Sequence, residues 1–458
     1  MNSAASDTVH LARYQAEMVD GVLGAQHGSI HYVVWPPGAG KTFATAVLLD
    51  RLSQGKDDFR ALIVAPRFLT DQWAHVVKRA TADSIGETVD HARLRDFVAH
   101  SSGQGMWPRR GCFAISAALL AIPDVRSLIE TCYWDVVVLD EAHHRQRVVQ
   151  SVLSDLIRTQ RVGRALILSA SHLDQTWSAL GSAVATFTWK ADVLAVSREM
   201  QLGQREFRSV QYLPNPEVGD AVGHLLTALR RSLPSRAGSL LVDGLYRRAA
   251  SSPLALVSSL ERLRSQWLHG DARSPFEYTE GEDEIAEMRA PALGRQTHAL
   301  VLEVVNVVGI LGAADDPKLE ALVTLIRGLL RESRRSCVFT TFRETAEYVR
   351  NSLEDEGLDV MLCHGGLAYD TRLDLITRFN RRKAVLVTTD GGASGLQVSD
   401  SAVAVSYDLP RSVKPMDGRW AVIEARGDNR RHTMIALVGG GDASAVEGEL
   451  ANFHGFAV

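Results

Sequence analysis

Residues 35–42 read "WPPGAGKT". The stretch stands between the apolar run "IHYVVW" (30–35) and the amphipathic run "FATAVLLDRL" (43–52). A strand, a glycine-bearing turn and a helix opening on Gly-Lys-Thr form a frame that holds phosphate. Small residues let backbone N–H groups close on phosphate oxygens, a lysine reaches the terminal phosphates, and a threonine hydroxyl coordinates magnesium. Pro37, Gly38, Ala39, Gly40, Lys41 and Thr42 are therefore candidate nucleotide-binding residues, with Lys41 also a catalytic candidate. The GxxxxGK[ST] pattern is not met in full, because Trp35 stands in place of its first glycine. Gly-Lys-Thr alone is a common chance match; the flanking strand and helix give it weight.

A second signal lies roughly a hundred residues downstream, where "VVVLDEAHH" (136–144) ends an apolar strand in two adjacent carboxylates. Asp140, at the strand end, is placed to hold magnesium directly or through water, and Glu141 to polarise an attacking water. The competing reading is a solvated acidic turn. It is the weaker one, because the spacing to the phosphate loop is ordinary for a nucleotide-binding fold.

The bulk composition sets bounds. A chain of 458 residues is too long for one core, so two or three domains are expected. With 46% hydrophobic and 23% charged residues and a formal net charge of -4, there is no global basic field, and any nucleic acid is expected in a local groove. The cysteines Cys112, Cys132, Cys337 and Cys363 form no CxxC pair and no zinc-like spacing, and read as reduced thiols. The N-terminus lacks a signal pattern. Glu303 and Asn306 interrupt the most apolar stretch, "ALVLEVVNVVGILGAA" (299–314), which reads as a buried helix or strand and not a membrane span. A cytoplasmic location is expected.

Short Val, Ile and Leu runs recur through the first part: "HYVVW" (31–35), "ALIVAP" (61–66), "CFAIS" (112–116), "DVVVLD" (135–140) and "ALILSA" (165–170). They lack the alternation of half-exposed strands, which suits a parallel sheet covered on both faces. Residues 191–315 read as helices with polar linkers. The α/β rhythm returns with "SCVFTTF" (336–342), "DVMLCHG" (359–365), "AVLVTTD" (384–390), "AVAVSYDLP" (402–410) and "TMIALVGG" (433–440). The expected organisation is α/β: a first lobe over 1–190, a helical insertion over 191–315 and a second lobe over 316–458.

The strand ending in "DEAH" resembles motif II of the superfamily-two helicases and translocases. Other pieces fall in the family's order: "RYQAEMV" (13–19), "LIVAPRFLTDQW" (62–73), "FAISAALL" (113–120), "LILSAS" (166–171), "CVFTTFRETAEYV" (337–349) and "VLVTTDGGASGLQVSDSAVAVSYDLP" (385–410). The resemblance implies two RecA-like lobes of the P-loop NTPase type, using ATP and Mg2+. It implies that Gln15 reads the adenine edge, that His143 couples the ATP site to the segment at 166–171, and that Thr42 and Asp140 hold the magnesium. By motif position, Arg67, Ser116, Thr341 and Arg343 would meet nucleic acid. Within the superfamily the chain looks similar to bacterial Swi/Snf-type ATPases, on "DEAHH", "DDPKLEAL" (315–322), "FTTFRETAEYV" and "LYRRAASSPLALVSSLERL" (245–263). That implies a translocase on double-stranded DNA, and a protein partner in a defence or DNA-modification complex.

The last motif departs from the family. Placed on "EARGDNRR" (424–431), it has Glu424 for the usual glutamine and Asp428 where an arginine belongs. Arg426, Arg430 and Arg431 are the candidates for a displaced catalytic finger, with Arg419 a weaker one; a solvated basic turn is the alternative. Trp107, in "SSGQGMWPRRG" (101–111), is a candidate for stacking on a base or for a plain surface loop. Three functions stay open: a duplex-DNA translocase, a strand-separating helicase, and an ATP-gated binding subunit with weak hydrolysis.

Overall fold

The computed structural model describes residues 10–81, 84–100, 107–141, 146–170, 185–191, 196, 198–199, 204–269, 295–311, 316–398, 402–410, 413–424 and 431–440. The chain divides into two compact units, Met1–Leu202 and Gly203–Val458.

The first unit opens on α1 (Arg13–Gly24), β1 (Ser29–Val34) and α2 (Lys41–Ser53), then β2 (Phe59–Ala65), α3 (Arg67–Ala80), β3 (Gly86–Thr88) and α4 (His91–His100). It continues with β4 (Arg110–Ser116), α5 (Ala117–Leu120), α6 (Pro123–Glu130), β5 (Trp134–Leu139), α7 (Gln146–Arg158), β6 (Val162–Ser169) and β7 (Thr186–Lys190). The seven strands form one parallel sheet in the order β3-β4-β2-β5-β6-β1-β7. The central strands are apolar on both faces because both faces are covered. Val33, Ile63, Val138 and Leu168 pack with α1, α2 and α3 residues on one side. Ile30, Leu62, Val137 and Ile167 pack with α5, α6 and α7 residues on the other. The register sets Ala65 beside Ser116 and Val64 beside Leu139, so the strands end along one carboxyl edge. In open parallel sheets that edge is where ligands bind.

The second unit begins with β8 (Gln204–Tyr212) and four helices: α8 (Pro216–Ser232), α9 (Arg236–Ser251), α10 (Pro253–His269) and α11 (Arg295–Leu311). Then come α12 (Pro317–Arg331), β9 (Arg335–Thr340), α13 (Arg343–Asp355), β10 (Val360–Cys363), α14 (Tyr369–Phe379) and β11 (Val385–Thr389). The described part ends with α15 (Asp390–Ala393), β12 (Ala402–Ser406), α16 (Val413–Ile423) and β13 (Arg431–Gly439). Its six strands are parallel in the order β10-β11-β9-β12-β13-β8.

The sequence expects helices throughout 191–315, but residues 204–212 form a strand that pairs with β13 over its whole length. "QREFRSVQY" is a half-exposed edge strand, so it lacks the apolar run that marks the inner ones. The stretch 299–314 resolves as a helix through Leu311, with Val301, Val304 and Val308 buried against Leu225, Leu245 and Leu260 of the neighbouring helices.

A buried polar seam ties these helices to the second sheet. Lys318 Nζ donates to Asp408 Oδ1 at 3.0 Å and to the carbonyls of Ala250 and Ser251 at 2.8 and 3.0 Å. Asp408 also accepts from Ser251 Oγ at 2.9 Å, from the Thr341 N–H at 3.1 Å and from the Thr340 hydroxyl. Burial pushes the Asp408 carboxyl up, but Lys318 and the surrounding donors hold it below its ordinary range. Among the described residues no helix is long and apolar enough to cross a membrane.

Candidate functional site

The phosphate-loop segment joins β1 to α2. Gly38 and Gly40 both take φ of 76°, a left-handed conformation that glycine adopts without a side-chain clash. Gly40 is the N-cap of α2 and supplies no side-chain acceptor to the helix's first N–H groups. Those N–H groups and the positive end of a 13-residue helix are suited to an anion. Lys41 Nζ folds back onto the loop, donating to Trp35 O at 2.9 Å and Pro36 O at 3.2 Å. Trp35 is buried with its ring edge-on to Tyr14, centroids 4.9 Å apart. The aromatic side chain at the missing glycine thus serves packing and lies outside the turn's tight part.

Gln15 is placed otherwise than the sequence suggests. It is 1% exposed, its Nε2 donates to Ala39 O at 2.8 Å, and its Oε1 accepts the Ala12 N–H at 3.0 Å. Tyr14 donates its hydroxyl to the same Ala39 carbonyl at 2.8 Å. In this structure the Gln15 amide braces the loop and caps α1, and does not lie open to a base.

The acidic pair follows β5. The Asp140 N–H continues the ladder by donating to Val64 O at 2.8 Å, and Glu141 turns away at φ 49°. Asp140 is 8% exposed. Its Oδ2 accepts the Trp73 indole N–H at 2.7 Å and its Oδ1 the Glu141 N–H at 3.0 Å. Burial first, then the Glu141 charge, pushes the Asp140 carboxyl up to about 6, while Trp73 and the charge of Lys41 pull it down. β1 and β5 both pair in parallel with β6, so the loop that follows β1 and the acidic pair that follows β5 leave the sheet at the same carboxyl edge. A small cavity of about 10 Å³, lined by Val64, Ala65, Pro66, Ala117, Leu139, Asp140 and Val149, lies beside the carboxylate. His143 lies outside the described residues.

These groups fit magnesium. Asp140 is a buried carboxylate at the strand end, where a divalent cation would offset its charge. Magnesium is commonly held by one or two carboxylates together with substrate phosphates. Among the described residues no cluster of three or more His, Cys, Asp or Glu offers an all-protein cage.

Of the residues proposed to meet nucleic acid, Arg67 and Ser116 lie on the carboxyl edge of the first sheet. Arg67 is exposed at the first position of α3, and Ser116 caps α5 by accepting the Leu119 N–H at 3.1 Å. Thr341 and Arg343 follow β9 in the second unit. Thr341 is tied through its N–H to Asp408, while Arg343 is exposed and pairs with Glu347 at 3.0 Å. Trp107 is 4% exposed, packs against Phe97, Phe113 and Trp134, and donates to Leu128 O at 3.3 Å. It is a core residue and no stacking platform.

Arg426 and Arg430 lie outside the described residues. Arg419 does not: it is 1% exposed, pairs with both Asp390 oxygens at 2.6 and 3.0 Å, and donates to Asp408 O at 2.6 Å. It pins α16 to the ends of β11 and β12 inside the second unit. Glu424 is gripped by the Arg205 fork at 2.5 and 3.0 Å, so the residue standing for the family's glutamine is a structural anchor.

Two family models match in chain order. "Type III restriction enzyme, res subunit" covers residues 8–163, and "Helicase conserved C-terminal domain" covers 317–426. The chain has the superfamily-two helicase core. Curated relatives include the ATP-dependent RNA helicase DDX25 of Xenopus laevis, 38% identical over 80 residues, covering 17% of this chain and 17% of the relative. The ATP-dependent RNA helicase DRS1 of Saccharomyces cerevisiae is 35% identical over 100 residues, covering 21% and 13%. The human ATP-dependent RNA helicase DDX19A is 31% identical over 110 residues, covering 24% and 23%. The chain thus spans less than a quarter of the length of these relatives. In fold it is similar to Mss116p bound to ssRNA and AMP-PNP, with TM-score 0.56 and 14% identity over 98% of this chain and 72% of that one. It is also similar to S. cerevisiae Dbp5 bound to RNA and ADP BeF3, with TM-score 0.54 and 14% identity over 97% and 88%.

Proposed function

We propose that this helicase-core protein hydrolyses ATP and uses the energy to move on nucleic acid. The observation that carries this reading is that the Lys41 loop and the buried Asp140 with its neighbour Glu141 follow strands that both pair with β6, at one carboxyl edge of the sheet. In this reading the N–H groups of 38–42 bind phosphate oxygens, and Lys41 leaves the loop carbonyls to reach the terminal phosphate. Thr42 and Asp140 hold magnesium, which when bound neutralises charge on the phosphate oxygens. Glu141 orients the attacking water. Arg426 and Arg430 are proposed to supply positive charge to the transferring group, and His143 to link the nucleotide site to the segment after β6.

The substrate proposed first is double-stranded DNA, traversed without strand separation. The Swi/Snf-type motifs support it, as does the restriction-subunit model over the first unit. Arg67, Ser116, Thr341 and Arg343 are the proposed phosphate contacts, which read no bases. A DNA-modifying or defence protein is the proposed partner. A second reading, RNA as substrate, is favoured by the curated relatives, whose names are those of RNA helicases.

Displacement of a third strand from a DNA triplex separates the two readings. ATP-dependent release of the third strand, without unwinding of an RNA duplex, is the result expected. Unwinding of the RNA duplex with the triplex left intact would replace DNA by RNA.

A further inference from the structure

Trp73 lies on α3, 67 residues from Asp140 in sequence, yet its indole N–H meets Asp140 Oδ2 at 2.7 Å. Both residues are buried. The carboxylate also accepts the Glu141 N–H at 3.0 Å, a backbone group that any residue but proline supplies at 141. The indole is thus the side chain that fixes how the carboxylate lies. It is itself held in the cluster with Leu69, Val77, Val136 and Val138, so the donor has little freedom to turn. An indole N–H donates and cannot accept, and it does not ionise at ordinary pH. It therefore holds an acid without competing with it for a cation.

We propose that Trp73 is a positioning residue of the nucleotide site, its indole N–H holding Asp140 in the orientation from which the carboxylate meets magnesium on a bound nucleotide. The proposal rests on the nucleotide reading above. Groups that hydrogen-bond a metal ligand set its orientation, and losing one typically weakens metal affinity about 10- to 100-fold. Trp73→Phe keeps an aromatic ring but loses the donor. It leaves one oxygen of a buried carboxylate without its side-chain partner.

The test is equilibrium binding of a fluorescent ATP analogue, in EDTA and across a magnesium titration. Three proteins are compared: wild type, Trp73→Phe, and a full-length chain carrying 3-benzothienylalanine at position 73. That last side chain keeps the bicyclic shape and has sulfur in place of N–H, so it isolates the hydrogen bond from packing. The result expected is that all three bind the analogue alike in EDTA, while both replacements need about 10- to 100-fold more magnesium to tighten. A magnesium titration of the benzothienyl protein that overlays wild type overturns the role of Trp73 and leaves the nucleotide site standing. Wild type that ignores the analogue, or binds it without regard to magnesium, removes the nucleotide reading and the Trp73 proposal with it.

Discussion

His31 is buried in β1, its ring stacked on Phe187 with centroids 5.0 Å apart. Trp189 Nε1 approaches His31 Nδ1 at 3.3 Å, and Ser29 Oγ lies 2.9 Å from Nε2. Since the indole can only donate, Nδ1 accepts and the proton sits on Nε2. Burial first, then the Arg164 charge, pushes His31 down to about 4. Above its ordinary pKa the ring is neutral folded and unfolded, and contributes nothing to pH dependence. Below that point the unfolded chain takes up a proton that the fold refuses, so stability falls as pH drops toward about 4. The loss approaches about 3 kcal/mol. Asp140, with its raised pKa, acts with the opposite sign over an overlapping range. The reading is therefore the difference between wild type and His31→Phe in urea denaturation at pH 7.5 and 5. Wild type is expected to lose stability relative to the variant on acidification; a difference that stays constant would contradict the account. At this scale the sequence shows the loop and the acidic pair, because each is a local pattern at a strand end. It does not show the direction of Gln15, nor the partnership of Trp73 with Asp140. Side-chain direction and a contact across 67 residues are fixed by packing.

The inner strands are legible for a physical reason: a strand covered on both faces must be apolar throughout. β2, β4, β5 and β6 fall within three residues of their expected positions. β7 and β8 escape because they are edge strands with exposed polar residues and no apolar run. The polar seam escapes too, since its serines and threonines read as ordinary surface residues until Lys318 and Asp408 are brought together. Lys318→Met leaves the Asp408 carboxylate buried without its cation, and is expected to destabilise the second unit by about 3–5 kcal/mol, read from the urea midpoint. α3 carries Arg67 at its exposed first residue and Trp73 within its second turn. Arg67→Ala is thus expected to lower the stimulation of ATP turnover by nucleic acid several-fold, with unstimulated turnover unchanged, in assays at two salt concentrations. Equal loss with and without nucleic acid would place Arg67 in the nucleotide site instead.

For the whole molecule, two parallel sheets and two family models in chain order define the helicase core, and the altered final motif bears on whether it turns over. Arg419 and Glu424 are committed to internal contacts, so the proposal assigns the positive charge for catalysis to Arg426, Arg430 or Arg431, or to a partner protein. Steady-state ATP hydrolysis by the purified protein tests this most directly. It is measured alone and with duplex DNA, single-stranded DNA or RNA, with Lys41→Ala and Glu141→Gln as controls. The account predicts turnover stimulated by nucleic acid, duplex DNA above all, and abolished in both variants. ATP binding that depends on Lys41, with no turnover in the presence of any nucleic acid, would contradict it and leave a nucleotide-gated binding subunit.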